Sequence, residues 1–303
     1  MSVTEDIRAI CGSANVREAE PMKNHTTFRI GGPARLFVVP DSEEKIRDTV
    51  KCLREAGEDF YILGNGSNLL VSDKGYDGVI IQLYDSFNDI DITGNVITAR
   101  AGALLTRVAN KAASAGLTGL ESASGIPGTI GGAIVMNAGA YGFEMKDVVT
   151  SVRVLNRQGD IIDIPGSDME FGYRTSVCIK EGYVVLGATM KLCEGDETAI
   201  RERMKELKEQ RTSKQPLEFP SAGSTFKRPE GYFAGKLIMD AGLRGYSVGG
   251  AQVSEKHCGF VINKGGATAS DVRHLMKDVS DKVKEQFGVT LEPEVKMLGT
   301  FDD

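Results

Sequence analysis

Residues 125–142 read "GIPGTIGGAIVMNAGAYG", with glycine at six of the eighteen positions and no Lys, Arg, Asp or Glu. Glycine either supplies positive φ for turns or removes a Cβ so that something can lie against the main chain. Pro127-Gly128 predicts a stiff turn, Thr129 offers a hydroxyl, and Gly131-Gly132 would let a ligand approach the backbone closely. The stretch is therefore a candidate binding site.

A second glycine-rich turn, "ILGNGSNLLV" at residues 62–71, follows an apolar strand directly. Its amides at residues 65–68 could converge on an anion such as a diphosphate, with Ser67 and Asn68 adding side-chain donors. A tight turn without a ligand is the alternative for so short a motif. The turn is neither a Walker A loop nor a G-x-G-x-x-G dinucleotide fingerprint. Together, two uncharged glycine-rich segments predict one large, flat cofactor that contains a diphosphate.

Length and composition are those of an ordinary globular protein. The 303 residues suggest two or three domains, and 41% of them are hydrophobic and 26% charged. A net charge of -6 and a pI near 5.3 argue against a nucleic-acid or anionic-membrane partner. The first twenty residues are acidic and lack the apolar core of a signal peptide, and no apolar run is long enough for a membrane span. We expect a cytoplasmic protein without membrane insertion.

The cysteines and histidines do not form a metal motif. No C-x-x-C pair and no H-E-x-x-H sequence occurs, so we expect reduced thiols, no metal and no metal hydrolase. The residues concerned are Cys11, Cys52, Cys178, Cys193, Cys258, His25, His257 and His274.

The order of apolar and polar residues predicts an α+β protein with sheets of mixed direction. A helix is predicted over 42–57, with Ser42 as N-cap and Gly57 as its stop, and Gly94-Asn95 predicts a hairpin turn. A long charged helix ends near Pro216, where we place a domain boundary. "TLEPEVKML" at 290–298 predicts a final strand.

The segment before that strand predicts a helix over 270–288, capped by Ser270 and stopped by Gly288. Its apolar stripe predicts a core-facing side. The stripe consists of Val272, Leu275, Met276, Val279, Val283 and Phe287.

Seven motifs in order resemble the UDP-N-acetylenolpyruvoylglucosamine reductase family, flavoenzymes that make UDP-N-acetylmuramic acid for bacterial cell-wall synthesis. The resemblance runs from about His25 almost to the C-terminus. The motifs are "NHTTFRIGGPA", "LGNGSNLLV", "SGIPGTIGGAIVMNAGAYG", "FGYRTS", "AGSTFKRP", "AGKLI" and "LEPEVKMLG".

The resemblance implies an α+β FAD-binding fold of the vanillyl-alcohol-oxidase type, with a third α+β domain for the sugar nucleotide. It assigns residues 1–83 and 84–200 to the two subdomains that clasp FAD, and 201–292 to the substrate-binding domain. The C-terminal strand, 293–303, is expected to return to the first subdomain.

The family's non-covalent FAD contacts carry over residue by residue, and His25 is expected to be a loop residue and not a flavin anchor. The implied contacts are Gly64, Asn65, Gly66, Ser67, Asn68, Gly125, Pro127, Gly128, Thr129, Gly131, Gly132, Asn137 and Gly139.

The reaction implied by the resemblance uses NADPH to reduce FAD, after which the enolpyruvyl ether of the sugar nucleotide replaces the nicotinamide. Arg174 matches the arginine at the enolpyruvyl carboxylate, Ser224 the proton donor, and Glu294 a glutamate that hydrogen-bonds the developing enolate. Taken without the resemblance, they would be a surface ion pair, a turn hydroxyl and an acidic residue beside Pro293.

Further residues are candidates for binding the substrate, UDP-N-acetylglucosamine enolpyruvate. They are Tyr173, Lys214, Lys227, Arg228, Gln252 and His257. Only "VCIKEG" separates Ser176 from the next strand, so the chain resembles the shorter subtype, which lacks an inserted tyrosine loop. Closure over the substrate must then come from other residues.

Two alternatives stay open: another FAD oxidoreductase of the same superfamily, and a non-catalytic nucleotide-binding module. The presence of Arg174, Ser224 and Glu294 weighs against the module, while "AGSTF" and "LEPEV" favour the reductase over other oxidoreductases. We expect a monomer or a weak oligomer.

Overall fold

The computed structural model describes residues 2–301, which form two compact units. The first comprises the residues up to Arg17, Leu36–Asn65 and Gly78–Gln210; the second comprises Glu18–Arg35, Gly66–Asp77 and the residues from Arg211 onward. The three-domain division expected from the sequence stays a prediction.

The α-helices are, in chain order, α1 Val3–Cys11, α2 Glu43–Ala56, α3 Leu105–Ser114, α4 Ile130–Val135, α5 Val177–Glu181, α6 Glu197–Lys214, α7 Ala234–Asp240 and α8 Ala269–Phe287.

The β-strands are β1 Val16–Pro21, β2 Pro33–Val38, β3 Phe60–Leu63, β4 Leu69–Val71, β5 Tyr76–Gln82, β6 Ile90–Thr93, β7 Val96–Arg100, β8 Leu117–Thr118, β9 Gly139–Ala140, β10 Phe143–Glu144, β11 Val149–Leu155, β12 Ile161–Pro165, β13 Val184–Lys191, β14 Cys193–Glu194, β15 Ser221–Ser224, β16 Ser247–Val248, β17 Ala251–Val253, β18 Phe260–Asn263 and β19 Lys296–Leu298.

The sheets have mixed strand directions, as predicted. The first unit contains the antiparallel sheet β12-β11-β13-β7-β6, and another sheet has the order β1-β2-β5-β3 with β3 and β5 parallel. The second unit contains the antiparallel sheet β15-β18-β17-β16 and the parallel pair β19-β4. This arrangement confirms the α+β prediction.

Helix α2 has the N-cap and the C-terminal stop that its sequence predicts. The Ser42 side chain accepts a hydrogen bond from the N–H of Lys45 at 3.2 Å, which satisfies one of the free amides of the first turn. Gly57 ends the helix at φ +68°, in the left-handed region where glycine is favoured. The predicted hairpin also forms, with Thr93 paired to Val96 across the two-residue turn.

Two predicted details of helix α8 are wrong. Its N-cap is Thr268 and not Ser270, because Thr268 and Asp271 exchange side-chain-to-backbone hydrogen bonds in a capping box. Phe287 stands at the last helical residue and is 39% exposed, whereas the rest of the predicted stripe is buried. The final strand is shorter than predicted: Lys296–Leu298 pairs with β4, and Pro293 forms an isolated antiparallel bridge with Phe226.

Each unit has its own hydrophobic core. In the first unit, α2 and α3 pack with the strands of the antiparallel sheet, and Ile46, Val108 and Val154 are fully buried. In the second unit, α7 and α8 contribute with β17 and β18, and Leu275 and Val279 are fully buried. Within residues 2–301, no helix has both the length and the apolar character needed to cross a bilayer.

Candidate functional site

The glycine-rich segment 125–142 is anchored to residues 101–105 by backbone hydrogen bonds. Leu105 donates to the carbonyl of Gly128 at 3.0 Å, and the N–H groups of Ile130 and Gly131 donate to Ala103 and Ala101 at 2.8 Å each. The amide of Gly131 is therefore used within the protein. A ligand at this position would approach the bare Cα, not the N–H.

In the turn at residues 64–68, by contrast with Gly131, the backbone amides are not bonded within the described part of the chain. No backbone N–H of these five residues donates to another residue in the described part of the chain. Unpaired amides in succession form a concave donor surface that suits an anion. The boundary between the two units falls inside this turn, after Asn65.

Within the first unit, the two glycine-rich segments touch each other. The Asn65 Nδ2 donates to the carbonyl of Pro127 at 2.6 Å. A Cβ on Gly64 would overlap Oγ1 of Thr129, so the close approach requires glycine at residue 64. Within the first unit, the uncharged surface and the main chain without Cβ atoms fit a diphosphate-containing cofactor such as FAD.

Asn137 and Gly139 have structural roles inside the protein. Asn137 is 1% exposed; its Nδ2 donates to Glu144 Oε2 at 3.0 Å and to the carbonyl of Gly172 at 3.1 Å. Its Oδ1 accepts from the N–H of Lys146 at 3.0 Å. A Cβ on Gly139 would overlap the carbonyl oxygen of Phe143. Asn137 thus holds the turn that carries Arg174, a connection that the sequence did not indicate.

Glu144 is a further residue of this region, and no motif in the sequence indicates its role. Lys146 forms a salt bridge with it at 2.6 Å, and this hydrogen bond is the main reason that the pKa of Glu144 is lowered. The hydrogen bond from Asn137 acts in the same direction. The ionised carboxylate can therefore accept from Asn137 at neutral pH.

Arg174 lies in a strained turn. Gly172 and Thr175 exchange backbone hydrogen bonds of 3.2 and 3.4 Å, and Arg174 between them has φ +56°. That conformation costs a residue with a side chain about 1–2 kcal/mol. The guanidinium lies 5.0 Å from the ring centroid of Tyr173, which is 49% exposed. Backbone strain of this kind is characteristic of functional positions.

Ser224 ends a strand that contains a β-bulge. Ser221 pairs with Ile262 and Ser224 with Phe260, so β15 has one more residue than β18 between the two pairs. Gly223 supplies the bulge conformation at φ +77°. Bulges redirect side chains, and here the Ser224 side chain is exposed while Thr225 is 1% exposed.

Glu294 is held against Thr225, the residue after Ser224, by an antiparallel contact in the second unit. The Glu294 N–H donates to the carbonyl of Thr225 at 2.8 Å, and the Lys227 N–H donates to the carbonyl of Glu292, also at 2.8 Å. The Glu294 carbonyl accepts from Nδ2 of Asn68 at 3.2 Å. Two residues that are seventy positions apart in the sequence thus belong to adjacent segments.

The predicted basic residues after Ser224 already have partners. Lys227 Nζ forms a salt bridge of 3.1 Å with Glu292 Oε2. The Arg228 guanidinium stacks 4.1 Å from the ring centroid of Phe233, which is largely exposed. Lys214 is the last residue of α6 and is exposed. His25, expected to be a loop residue, contacts Glu20 Oε1 through Nε2 at 2.7 Å.

Gln252 and His257 present polar atoms in the second unit. Gln252 Nε2 donates to the carbonyl of Gly245 at 3.2 Å, while its buried Oε1 accepts from no described residue. His257 Nδ1 accepts from the N–H of Gly259 at 3.1 Å, so in the neutral ring the proton is on Nε2. Gln252 therefore offers a hydrogen-bond acceptor, Oε1, and His257 offers a donor, Nε2–H.

The pKa of His257 is lowered from its ordinary value of 6.5, chiefly by burial. The unfolded chain therefore binds a proton at His257 more readily than the folded chain does. The contribution of neutral His257 to the free energy of unfolding is complete above about pH 6.5 and is lost as the pH falls toward the folded-state pKa. We expect the free energy of unfolding to decrease more steeply between about pH 7 and pH 5 than in His257→Asn, whose Oδ1 can still accept from Gly259. Denaturant titrations of both proteins across this pH range measure the two free energies of unfolding. The same pH dependence in both proteins would contradict the prediction.

Among residues 2–301, no group of three His, Cys, Asp or Glu side chains could hold a metal ion. The cysteines are all free thiols.

Two family models match the chain. Residues 34–165 match an FAD binding domain, and residues 215–298 match the C-terminal domain of UDP-N-acetylenolpyruvoylglucosamine reductase. A UDP-N-acetylenolpyruvoylglucosamine reductase from Agathobacter rectalis is 52% identical, with 99% of this chain and 98% of the relative covered. One from Lachnoclostridium phytofermentans is 50% identical, with 98% and 97% covered.

Solved structures agree. The crystal structure of a UDP-N-acetylenolpyruvylglucosamine reductase from Thermus caldophilus superposes with a TM-score of 0.81 and 36% identity, covering 94% of this chain and 100% of that one. A glucose oxidase variant of Phl p 4 shares the fold alone, with a TM-score of 0.50, 12% identity, and 64% of this chain and 44% of that one covered. The predicted FAD-binding fold of the vanillyl-alcohol-oxidase type is thereby confirmed.

Proposed function

Because the chain belongs to the UDP-N-acetylenolpyruvoylglucosamine reductase family, FAD-dependent oxidoreductases of peptidoglycan precursor synthesis, we propose the full reaction for it. It reduces the enolpyruvyl group of UDP-N-acetylglucosamine enolpyruvate with NADPH and forms UDP-N-acetylmuramate. The observation that carries the proposal is the 52% identity over almost the whole of both chains. The chemistry that FAD supplies when bound is hydride transfer, from NADPH to flavin N5 and from N5 to the methylene carbon of the enol.

For FAD itself, the two glycine-rich segments offer the holding surface. The backbone amides at residues 64–68 have no acceptor within residues 2–301 and suit the diphosphate. Within the first unit, Gly64 and Asn65 contact residues 127–129 and give a bare, uncharged backbone. Asn137 contributes by fixing its neighbours, since its side-chain polar atoms are already bonded within the protein.

The protein must also stabilise the negative charge that develops on the carbon and carboxylate next to the methylene, and deliver a proton there. We assign the carboxylate contact to Arg174, whose planar guanidinium can bind both oxygens. Ser224 donates the proton, which a weak acid can do only when it is closely positioned, as the bulge at Gly223 allows. We assign to the Glu294 carboxyl group a hydrogen bond with the enolate-like intermediate.

The remaining candidates would bind the nucleotide part of the substrate. Arg228 and Lys227 can contact phosphate or carboxylate groups, although each must first leave or share its present partner. Gln252 Oε1 and His257 Nε2 supply one acceptor and one donor. Tyr173 and Lys214 are exposed and therefore accessible to a ligand.

Three further points belong to the same proposal. The pairing of β19 with β4 supports the return of the C-terminal segment to the first FAD-binding subdomain. Free thiols suit a reducing compartment, so we place the enzyme in the cytoplasm. We expect it to act as a monomer or a weak oligomer.

The visible spectrum of the purified protein under anaerobic conditions tests the function. We expect a flavin band that bleaches with NADPH and returns when UDP-N-acetylglucosamine enolpyruvate is added. Bleaching without return would favour another FAD oxidoreductase of the superfamily. A flavin that NADPH does not reduce would favour a non-catalytic module, and a protein that does not bind FAD would contradict the assignment of both glycine-rich segments.

A further inference from the structure

The peptide groups of Glu294 are fixed from two directions. Its N–H donates to the carbonyl of Thr225 at 2.8 Å, one residue after Ser224. Its carbonyl accepts from Asn68 Nδ2 at 3.2 Å, and the Asn68 carbonyl accepts from the N–H of Lys296 at 3.1 Å. Asn68 therefore holds residues 294–296 through both its side chain and its main chain.

The same contact continues as a parallel strand pair. Leu69 pairs with Lys296, Leu70 with Met297 and Val71 with Leu298. Asn68 is the last residue of the amide-rich turn and the residue just before β4. It thus joins the proposed diphosphate site directly to β4, which is hydrogen-bonded to the strand that follows Glu294.

The glycine-rich turn predicts that the Asn68 side chain binds the cofactor, whereas in the structure its Nδ2 donates to the carbonyl of Glu294. An amide side chain is suited to bonding this carbonyl. A half-buried peptide carbonyl without a hydrogen-bond donor would destabilise the folded state. Asn65, three residues earlier in the same turn, uses its Nδ2 in the equivalent way toward Pro127 in the first unit. The two asparagines therefore hold different segments.

We propose that Asn68 is a positioning residue for Glu294: its Nδ2 fixes the Glu294 peptide, and so the carboxyl, relative to Ser224. The inference rests on the role proposed above for Glu294. It predicts that loss of the Asn68 side chain impairs the step in which the enolpyruvyl substrate is reduced more than it impairs the reduction of the flavin by NADPH.

Asn68→Ala and Asn65→Ala, each loaded with FAD, form a matched pair, because each loses one neutral donor from the same turn. For Asn68→Ala we expect reoxidation by the enolpyruvyl substrate to slow by about 10²-fold, the effect of a displacement near 1 Å. Reduction by NADPH should slow much less than reoxidation, because the main-chain amide of residue 68, the group proposed for the diphosphate, is kept in this variant. For Asn65→Ala we expect weaker FAD binding, measured by flavin fluorescence, without the selective loss of reoxidation.

Amide hydrogen exchange provides a readout that does not depend on activity. In Asn68→Ala, exchange over residues 292–297 should be faster by about tenfold, while residues 125–137 are unchanged. In Asn65→Ala, exchange over residues 125–137 should be faster, while residues 292–297 are unchanged. If Asn68→Ala destabilises the fold, Asn68→Ser keeps a polar side chain too short to replace the bond and is compared in its place. Unchanged exchange over 292–297 would overturn the inference.

The role of Glu294 is tested separately with Glu294→Gln and with the double variant. We expect Asn68→Ala to cause no further loss of reoxidation in the Glu294→Gln background, because both changes affect one interaction. If the two losses are additive, or if Asn68→Ala alone slows both half-reactions equally, the positioning role is wrong and the function stands. If Glu294→Gln reoxidises at the normal rate, the proposed role of Glu294 fails together with the inference.

Discussion

Ser224→Ala is expected to keep FAD bound and to be reduced by NADPH at a normal rate, but to be reoxidised by the enolpyruvyl substrate roughly 10²–10⁴-fold more slowly. Proton donation enters only the second half-reaction, so only that half should change. Stopped-flow absorbance in the flavin band, with each half-reaction started separately, measures both rates.

Ser221→Ala is the matched control for this experiment. Ser221 is on the same strand, before the bulge, and its carbonyl is already bonded to the Thr27 hydroxyl at 2.6 Å. We expect both half-reactions to stay within about twofold of the unaltered protein, as for a surface substitution away from the reacting atoms. Normal reoxidation of Ser224→Ala would remove Ser224 from the mechanism.

Arg174→Gly is expected to separate activity from stability. Glycine adopts φ +56° without strain, which relieves about 1–2 kcal/mol, while the more flexible unfolded chain offsets about 0.5–1 kcal/mol. The free energy of unfolding should therefore change by no more than about 1.5 kcal/mol. The kcat/KM for the enolpyruvyl substrate should fall by about 10²–10³-fold, because a fixed donor to the developing charge is lost.

Arg174→Lys is the conservative comparison. It keeps the charge and loses the planar fork, so we expect a kcat/KM between those of Arg174→Gly and the unaltered enzyme. Chemical denaturation and steady-state kinetics on the same preparations provide both quantities. If Arg174→Gly keeps its activity within about threefold, Arg174 does not bind the carboxylate, and its strained backbone needs another explanation.

Patterns contained within a few residues were predicted well. Helix α2 and the turn at Gly94-Asn95 formed as expected, because capping and turn conformation depend on immediate neighbours. The N-cap of α8 was placed two residues too late, since Thr268 and Ser270 are both suitable caps. Only the reciprocal bonds between Thr268 and Asp271 distinguish them.

The candidate site could be predicted as a set of residues but not as an arrangement. Nothing in the sequence shows that Asn137 bonds to the turn of Arg174, or that the carbonyl of Thr225 holds Glu294. The bulge before Ser224 is equally invisible, because it is defined by pairing with β18. Such contacts depend on which distant segments pack together, and periodicity carries no information about that.

By itself, the sequence determined the α+β class, the principal helices and the family, because each follows from local residue chemistry or from an ordered set of motifs. The tertiary structure alone decided which polar atoms are free. Among the described residues 2–301, it leaves the amides of residues 64–68 without acceptors, uses the amide of Gly131 within the protein, and directs Asn68 toward Glu294. A hydrogen-bonding group satisfied by the protein is not available to a ligand, and only the folded chain shows which groups those are.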